Sequence, residues 1–269
     1  MNTLRFIVDQ PQSAAFNMAA DQYLLGHCEN SDTIFVRFYQ WQHPSITLGY
    51  MQKASETLLI DKIHNDKAEW IRRPTGGRAV LHKGDLTYSC IFPKTVAFMG
   101  SSVKESYAVI TQCLRKGLEK THILSSTHDS YDDLLAVKRE VKLPCFLAPN
   151  RDEIMVNGRK LVGSAQKRTT SGILQHGSIP ITPEFADLPE YLLISPEEQK
   201  KQKHLLLSKC MWSQEIQPDL KPESLVHSLI DGFIETFKIP GETRPWNETE
   251  ILSIQALASS PAFIETWMK

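Results

Sequence analysis

Ile154-Met155-Val156-Asn157-Gly158-Arg159-Lys160-Leu161-Val162 reads as two short extended segments around an Asn-Gly pair. Asn and Gly tolerate the positive φ values that a type I′ turn demands, so the stretch predicts a tight β-hairpin. Its surroundings repeat the pattern. Gln166 to Arg168 and Gly172 to Ile181 predict a second hairpin around Ser171-Gly172. Thr33 to Tyr39 alternates, with Ile34, Val36 and Phe38 on one face and Phe35, Arg37 and Tyr39 on the other. Ser45 to Met51, Glu69 to Arg73, Ala79 to His82 and Asp85 to Phe92 read as further extended segments. The strands are joined mainly by tight turns rather than long helical crossovers, which predicts an α+β fold with a largely antiparallel sheet.

Helices cover both ends. Ser13 caps one over 13–25 and Gly26 stops it; Glu56 to Asn65 reads as another. Ser102 with Glu105 forms a capping box, followed by a stripe of Val103, Tyr107, Ile110, Leu114 and Leu118. Residues 122–150 show little periodicity and read as loops or short strands. The polar, proline-spaced stretch 184–222 reads as a boundary region. Leu225, Leu229, Ile230, Phe233 and Phe237 mark an amphipathic helix, and a last helix begins at Asn247. The chain thus divides into residues 1–222 and a C-terminal helical segment, 223–269, packed on the same domain.

The 269 residues are 41% hydrophobic and 23% charged, enough apolar content for a core and too little charge for disorder. Thirty basic side chains against 31 acidic ones argue against a dedicated nucleic-acid binder. No apolar run reaches the roughly 18–20 residues that span a bilayer, and residues 1–12 lack a basic leader followed by an apolar stretch, so neither a membrane span nor a secretory signal is expected. The five cysteines, Cys28, Cys90, Cys113, Cys145 and Cys210, contain no C-x-x-C pair, which fits reduced thiols in a cytoplasm. Phosphate-loop, dinucleotide, nucleophile-elbow and H-E-x-x-H motifs are missing, and lone histidines such as His64, His128 and His204 have no metal-ligand spacing.

Three segments hold chemically useful residues. In Arg72-Arg73-Pro74-Thr75-Gly76-Gly77-Arg78-Ala79-Val80-Leu81-His82 the paired glycines let backbone approach a ligand and expose N–H groups, and the arginines suit a carboxylate, a phosphate or an acyl carbonyl. An ordinary hairpin turn beside surface charges would look the same. Lys160 sits two residues past the Asn-Gly turn, where a lysine is usually a solvated edge residue, but Gly163-Ser164-Ala165 leaves bare backbone beside it. Cys145, in Leu143-Pro144-Cys145-Phe146, reads either as an inert buried thiol or as a nucleophile.

Taken in order, Ala15 to Ala19, Arg37-Phe38-Tyr39 with Trp41, Leu48-Gly49-Tyr50, the arginine–glycine segment, Asn157 to Gln166 and Ile173 to Ser178 resemble the catalytic domain shared by lipoate–protein ligases, octanoyltransferases and biotin–protein ligases. The resemblance covers nearly the whole chain and makes residues 1–222 the catalytic domain. It implies a central, mostly antiparallel sheet with a smaller second sheet, flanked by helices. Ligases that activate a free acid typically read G-G-G where this chain has Gly76-Gly77-Arg78. Together with Cys145 fifteen residues before Lys160, this looks most like the cysteine-dependent octanoyltransferases of the ligase-like branch.

That resemblance implies a set of roles. Cys145 takes the acyl group as a thioester, and Lys160 supplies the ammonium that favours the thiolate and moves protons. Arg72, Arg73, Gly76, Gly77, Arg78, Ala79, His82, Gly163, Ser164, Ala165, His176 and Gly177 contact substrate, with an apolar slot lined around Val80 and Leu161. The implied donor is octanoyl-acyl carrier protein and the implied acceptor a lipoyl domain or the glycine-cleavage H protein, with no nucleic acid and no membrane. No cofactor or metal is required; ATP and magnesium would enter only in a lipoate–protein ligase. An amidotransferase between lipoyl-accepting proteins would share the nucleophile, and a non-catalytic lipoyl-domain binding module would need neither Cys145 nor Lys160. One departure stands out: the family usually has Asp directly after the motif histidine, whereas His82 is followed by Lys83, with Asp85 further on.

Overall fold

The computed structural model describes residues 2–29, 31–127 and 153–268. β1 (Thr3–Val8) leads into α1 (Ala14–His27), whose cap Ser13 accepts the Phe16 N–H at 3.2 Å. Next come β2 (Thr33–Tyr39), β3 (Ser45–Leu48), α2 (Ala54–Thr57), α3 (Ile60–Asn65), β4 (Glu69–Arg72), β5 (Val80–His82) and β6 (Asp85–Phe92). α4 (Val103–Lys120) starts at the Ser102–Glu105 capping box and is followed by β7 (Ser126–Thr127). β8 (Ile154–Val156), β9 (Arg159–Arg168) and β10 (Ile173–Pro180) form the two hairpins, with Asn157 and Gly158 at φ 50° and 72°. A 3-10 segment, Pro183–Tyr191, precedes α5 (Pro196–Lys209), α6 (Ser213–Ile216), α7 (Pro222–Phe237), β11 (Gly241–Thr243), α8 (Glu248–Ser259) and α9 (Pro261–Trp267).

Eight strands form one sheet in the order β11-β1-β2-β6-β10-β9-β8-β7, and three form a second in the order β4-β3-β5. In the large sheet β11–β1 and β1–β2 are parallel and every other pair is antiparallel. The architecture is therefore the α+β one expected, mostly antiparallel with a smaller second sheet. One face of the large sheet is covered by α4 and α7, where Phe38, Phe92, Ile110, Leu114, Leu229 and Phe233 are fully or almost fully buried. Each such side chain contributes on the order of 1.5–3 kcal/mol. Among the described residues no helix is long and apolar enough to cross a membrane.

Three expectations need correction. Glu56 to Asn65 is not one helix. The chain extends at Leu58 and Leu59 because Leu58 bridges Leu192 and the Leu59 N–H donates to the Tyr191 carbonyl at 2.9 Å; tertiary pairing overrides local periodicity. Leu161 does not face a ligand slot: it is fully buried in the core beneath the large sheet. The proline-spaced stretch after β10 is largely helical, and Leu206 and Cys210 bury against Phe185 and Ala186.

Candidate active site

A cleft of about 370 Å³ is lined by residues of the small sheet and its β4–β5 connection on one side and of β9 and β10, interior strands of the large sheet, on the other. That volume falls in the range of ordinary small-molecule pockets. Lys160 enters the cleft wall by a local device. Met155 pairs with Lys160 and Ile154 with Val162, leaving Leu161 as an extra residue in β9. The bulge breaks alternation, so Leu161 and Val162 both enter the core while Lys160 meets the cleft. The Lys160 ammonium is buried and donates to Glu153 Oε1 at 2.5 Å, with side-chain exposures of 7% and 5%. Behind the pair, the backbone of Lys160 bridges that of Cys210, and Met211 N–H donates to the Lys160 carbonyl at 2.8 Å.

The glycine segment forms the facing wall. Gly77 adopts φ 98°, which a side chain with a Cβ rarely does, and Gly76 sits in open space. Among the described residues neither glycine N–H donates to protein, and both glycines line the cleft. Arg73 holds this backbone in place. Its Nη2 donates to the carbonyls of Gly76 and Arg78 at 2.9 and 2.8 Å, Nη1 to the Thr47 carbonyl at 3.0 Å and Nε to Thr75 Oγ1 at 3.2 Å. The guanidinium donors are thus directed at protein acceptors. The second support is Gly49: a Cβ there would lie 1.9 Å from the Gly77 carbonyl oxygen. Gly49→Ala and Gly77→Val are each expected to lower kcat/KM at least about ten-fold, through a displaced binding backbone, with little change in the far-UV circular dichroism spectrum. Wild-type turnover in either soluble variant would show that the segment does not shape the site.

Two histidines complete the floor. His176 Nε2 lies 2.7 Å from Thr75 Oγ1, and its Nδ1 lies 3.3 Å from Asp21 Oδ2. Burial holds the imidazole below its usual range, although Asp21 opposes this. A neutral ring then donates from Nδ1 to Asp21 and accepts the Thr75 hydroxyl at Nε2. Asp21 is fully buried; burial pushes its carboxyl up, but the His176 hydrogen bond and the charge of Arg37 outweigh this and hold it below the usual range. His82 stacks on Trp41 with centroids 4.2 Å apart, and its Nδ1 sits 2.8 Å from Asp85 Oδ2. Asp85 thus provides the carboxylate that Lys83 does not; Lys83 turns outward to Asp187 at 3.0 Å.

Of the sequence-derived site residues, Lys160, Arg73, Gly76, Gly77, His82, Gly163, Ser164, Ala165, His176 and Gly177 line this one cleft. Arg72, Arg78 and Ala79 are not in its lining, and Ala79 is buried in the core of the small sheet. Val80 lines it, as the apolar slot requires. Cys145 lies outside the described residues. Each of the other four cysteines is buried and has its thiol raised by desolvation: Cys28 to about 11, Cys210 to about 12, Cys90 and Cys113 further. Sequence reasoning passed over Glu153, Asp21, Thr75, Thr47 and Trp41. Thr75 and Trp41 stood inside quoted segments without a role, and Asp21 left a trace as a carboxylate on the buried face of α1. Among the described residues no cluster of three or more His, Cys, Asp or Glu side chains could hold a metal ion.

Residues 13–234 match the model of the lipoyl protein ligase A/B catalytic domain. An octanoyltransferase, LipM of Bacillus anthracis, is 34% identical over 263 residues, covering 95% of this chain and 94% of that one. The octanoyltransferase LipM of Geobacillus kaustophilus is 39% identical over 209 residues, covering 74% and 72%. Among solved structures, the bipartite lipoate protein ligase of Thermoplasma acidophilum, described with its E2 lipoyl domain, superposes with a TM-score of 0.76 at 18% identity over 97% and 95% of the two chains. The last likeness is one of fold.

Proposed function

The chain belongs to the lipoyl protein ligase A/B catalytic domain family, and from that premise we propose that it transfers an octanoyl group from octanoyl-acyl carrier protein to a lysine of a lipoyl domain or of the glycine-cleavage H protein. The observation that carries this reading is the cleft itself. A buried lysine in a bulged strand shares a cleft with a glycine segment whose two N–H groups have no protein acceptor among the described residues, beside the apolar side chains of Met18, Tyr39 and Val80. The octanoyltransferase relatives support the acyl group, and the archaeal ligase described with its lipoyl domain supports the class of acceptor.

In the proposed cycle the Cys145 thiolate attacks the donor carbonyl, a C–S bond to the enzyme forms, and the carrier thiol leaves. One thioester replaces another, so the step is nearly balanced and needs no nucleotide. The acceptor amine then attacks the enzyme thioester. A C–N bond forms, the C–S bond breaks, Cys145 departs as thiolate and the amine's proton passes to solvent. Making an amide from a thioester is downhill and drives the cycle. The Gly76 and Gly77 N–H groups take the negative charge that develops on the carbonyl oxygen in both steps. The Lys160 ammonium favours the thiolate. A free thiol nucleophile suits the reducing cytoplasm.

The test is an intact-mass measurement of the protein after incubation with octanoyl-carrier protein alone, and separately with octanoate, ATP and magnesium. The expected result is one octanoyl group acquired from the carrier, removed by hydroxylamine and passed on to added lipoyl domain. Acceptor modification that occurs only with ATP would replace this reading with that of a ligase.

A further inference from the structure

Lys160 presents a chemical problem that the proposed cycle does not solve by itself. On the acyl-transfer reading the acyl group passes through an activated thioester, and a neutral lysine amine in the cleft wall would itself be an acceptor for it. Burial alone drives a lysine towards that neutral form. An amine that captured the acyl group would end as an amide, which a thiol attacks far less readily than a thioester.

The geometry points to Glu153 as the residue that prevents this. We propose that Glu153 keeps the Lys160 amine protonated inside the cleft, so that the lysine acts as a cation and not as a competing acceptor. The inference rests on the acyl-transfer reading above. Its basis is the 2.5 Å ion pair between two nearly fully buried side chains, both in the cleft lining. An opposite charge at that distance favours the ammonium by more than burial disfavours it when the pair is well formed. The hairpin supplies the geometry: Glu153 immediately precedes β8, and the bulge in β9 turns Lys160 towards it.

Among the described residues, the other ionisable groups around the pair face different partners. The Cys210 thiol, on the far side of Lys160, is pushed up to about 12 by burial and stays uncharged. Arg159 turns to Glu215 and the Leu207 carbonyl. Across the cleft, the Arg73 donors are engaged with backbone, His82 faces Asp85 and His176 faces Asp21. Glu153 is thus a positioning residue: it acts through Lys160.

Glu153→Gln keeps the shape and removes the charge. The pH dependence of Lys160 acetylation by acetic anhydride is read by peptide mass spectrometry on substrate-free protein. The curve is expected to move about one pH unit or more towards acid in Glu153→Gln, and less in Glu153→Asp, which retains a carboxylate on a shorter arm. Given octanoyl-carrier protein, Glu153→Gln is expected to accumulate an octanoyl group on Lys160 that resists hydroxylamine, where wild type carries only the labile thioester. Curves that superpose for wild type and both variants would overturn the proposal. A shifted curve with no resistant adduct would overturn the shielding role. Because the acetylation curve needs no substrate, a shifted curve in an enzyme that takes octanoyl from no donor would instead count against the acyl-transfer reading. Should Glu153→Gln fail to fold, the Glu153→Asp curve alone decides, since a superposed curve there has the same meaning.

Discussion

Cys145→Ser will fold, bind its acceptor protein and lose octanoyl transfer by on the order of 10³-fold or more. A serine hydroxyl is close in size to a thiol but far less acidic, so on the proposed reading an ammonium sufficient to favour a thiolate would leave the hydroxyl protonated. Incubated with octanoyl-carrier protein, wild type is expected to gain one hydroxylamine-labile acyl group and the variant none. The other thiols sharpen the test. Cys28, Cys90, Cys113 and Cys210 are all buried, and each thiol is raised well above its ordinary value. Iodoacetamide at neutral pH should therefore label native wild type at Cys145 and leave native Cys145→Ser unlabelled. ATP-dependent acceptor modification that survives the substitution would identify a ligase.

Arg37→Met is expected to destabilise the protein by about 3–5 kcal/mol, because it strands buried carboxylates. The Arg37 guanidinium lies against Asp9 at 2.6 Å, Asp21 at 3.1 Å and Asn17 Oδ1 at 2.6 Å, and sits 3.9 Å over the Tyr39 ring. It joins β2 to α1 beneath the His176 end of the cleft. For a chain of this size such a loss lowers the melting temperature by on the order of 10 °C. The pH dependence has a definite sign. The Asp21 carboxyl is held below its usual value in the folded state, so its contribution is present at neutral pH and is lost as pH falls below about 4 through the folded value. Without Arg37 the carboxyl protonates at higher pH, and the acid limb of the stability curve moves up. Arg37→Met combined with Asp21→Asn should recover part of the loss. Additive effects in urea denaturation would show that the two charges do not interact.

Local structure was legible wherever the signal is short-range. The Asn157-Gly158 turn, the Ser13 cap, the Ser102–Glu105 box and the alternation of β2 each depend on residues within a few positions of one another. The order of the motif blocks was equally legible, because it is a property of the chain and not of its folding. β1 and β11 left no readable signature. They pair in parallel with each other, and β1 also with β2, so the partners are remote in sequence and the pattern is short.

The sequence by itself therefore determined the strand-rich middle, the capped helices, the family resemblance and the lysine-bearing hairpin. Only the tertiary structure decided what surrounds those residues. Asp21 meets His176 across 155 positions, Gly49 makes room for the Gly77 carbonyl, Asp85 supplies the carboxylate for His82, and a one-residue bulge turns Lys160 to Glu153. The physical reason is the same in each case. Propensity and periodicity act through neighbouring residues, whereas a buried charge or a bare stretch of backbone requires a partner that becomes its neighbour only when the sheets close over the cleft.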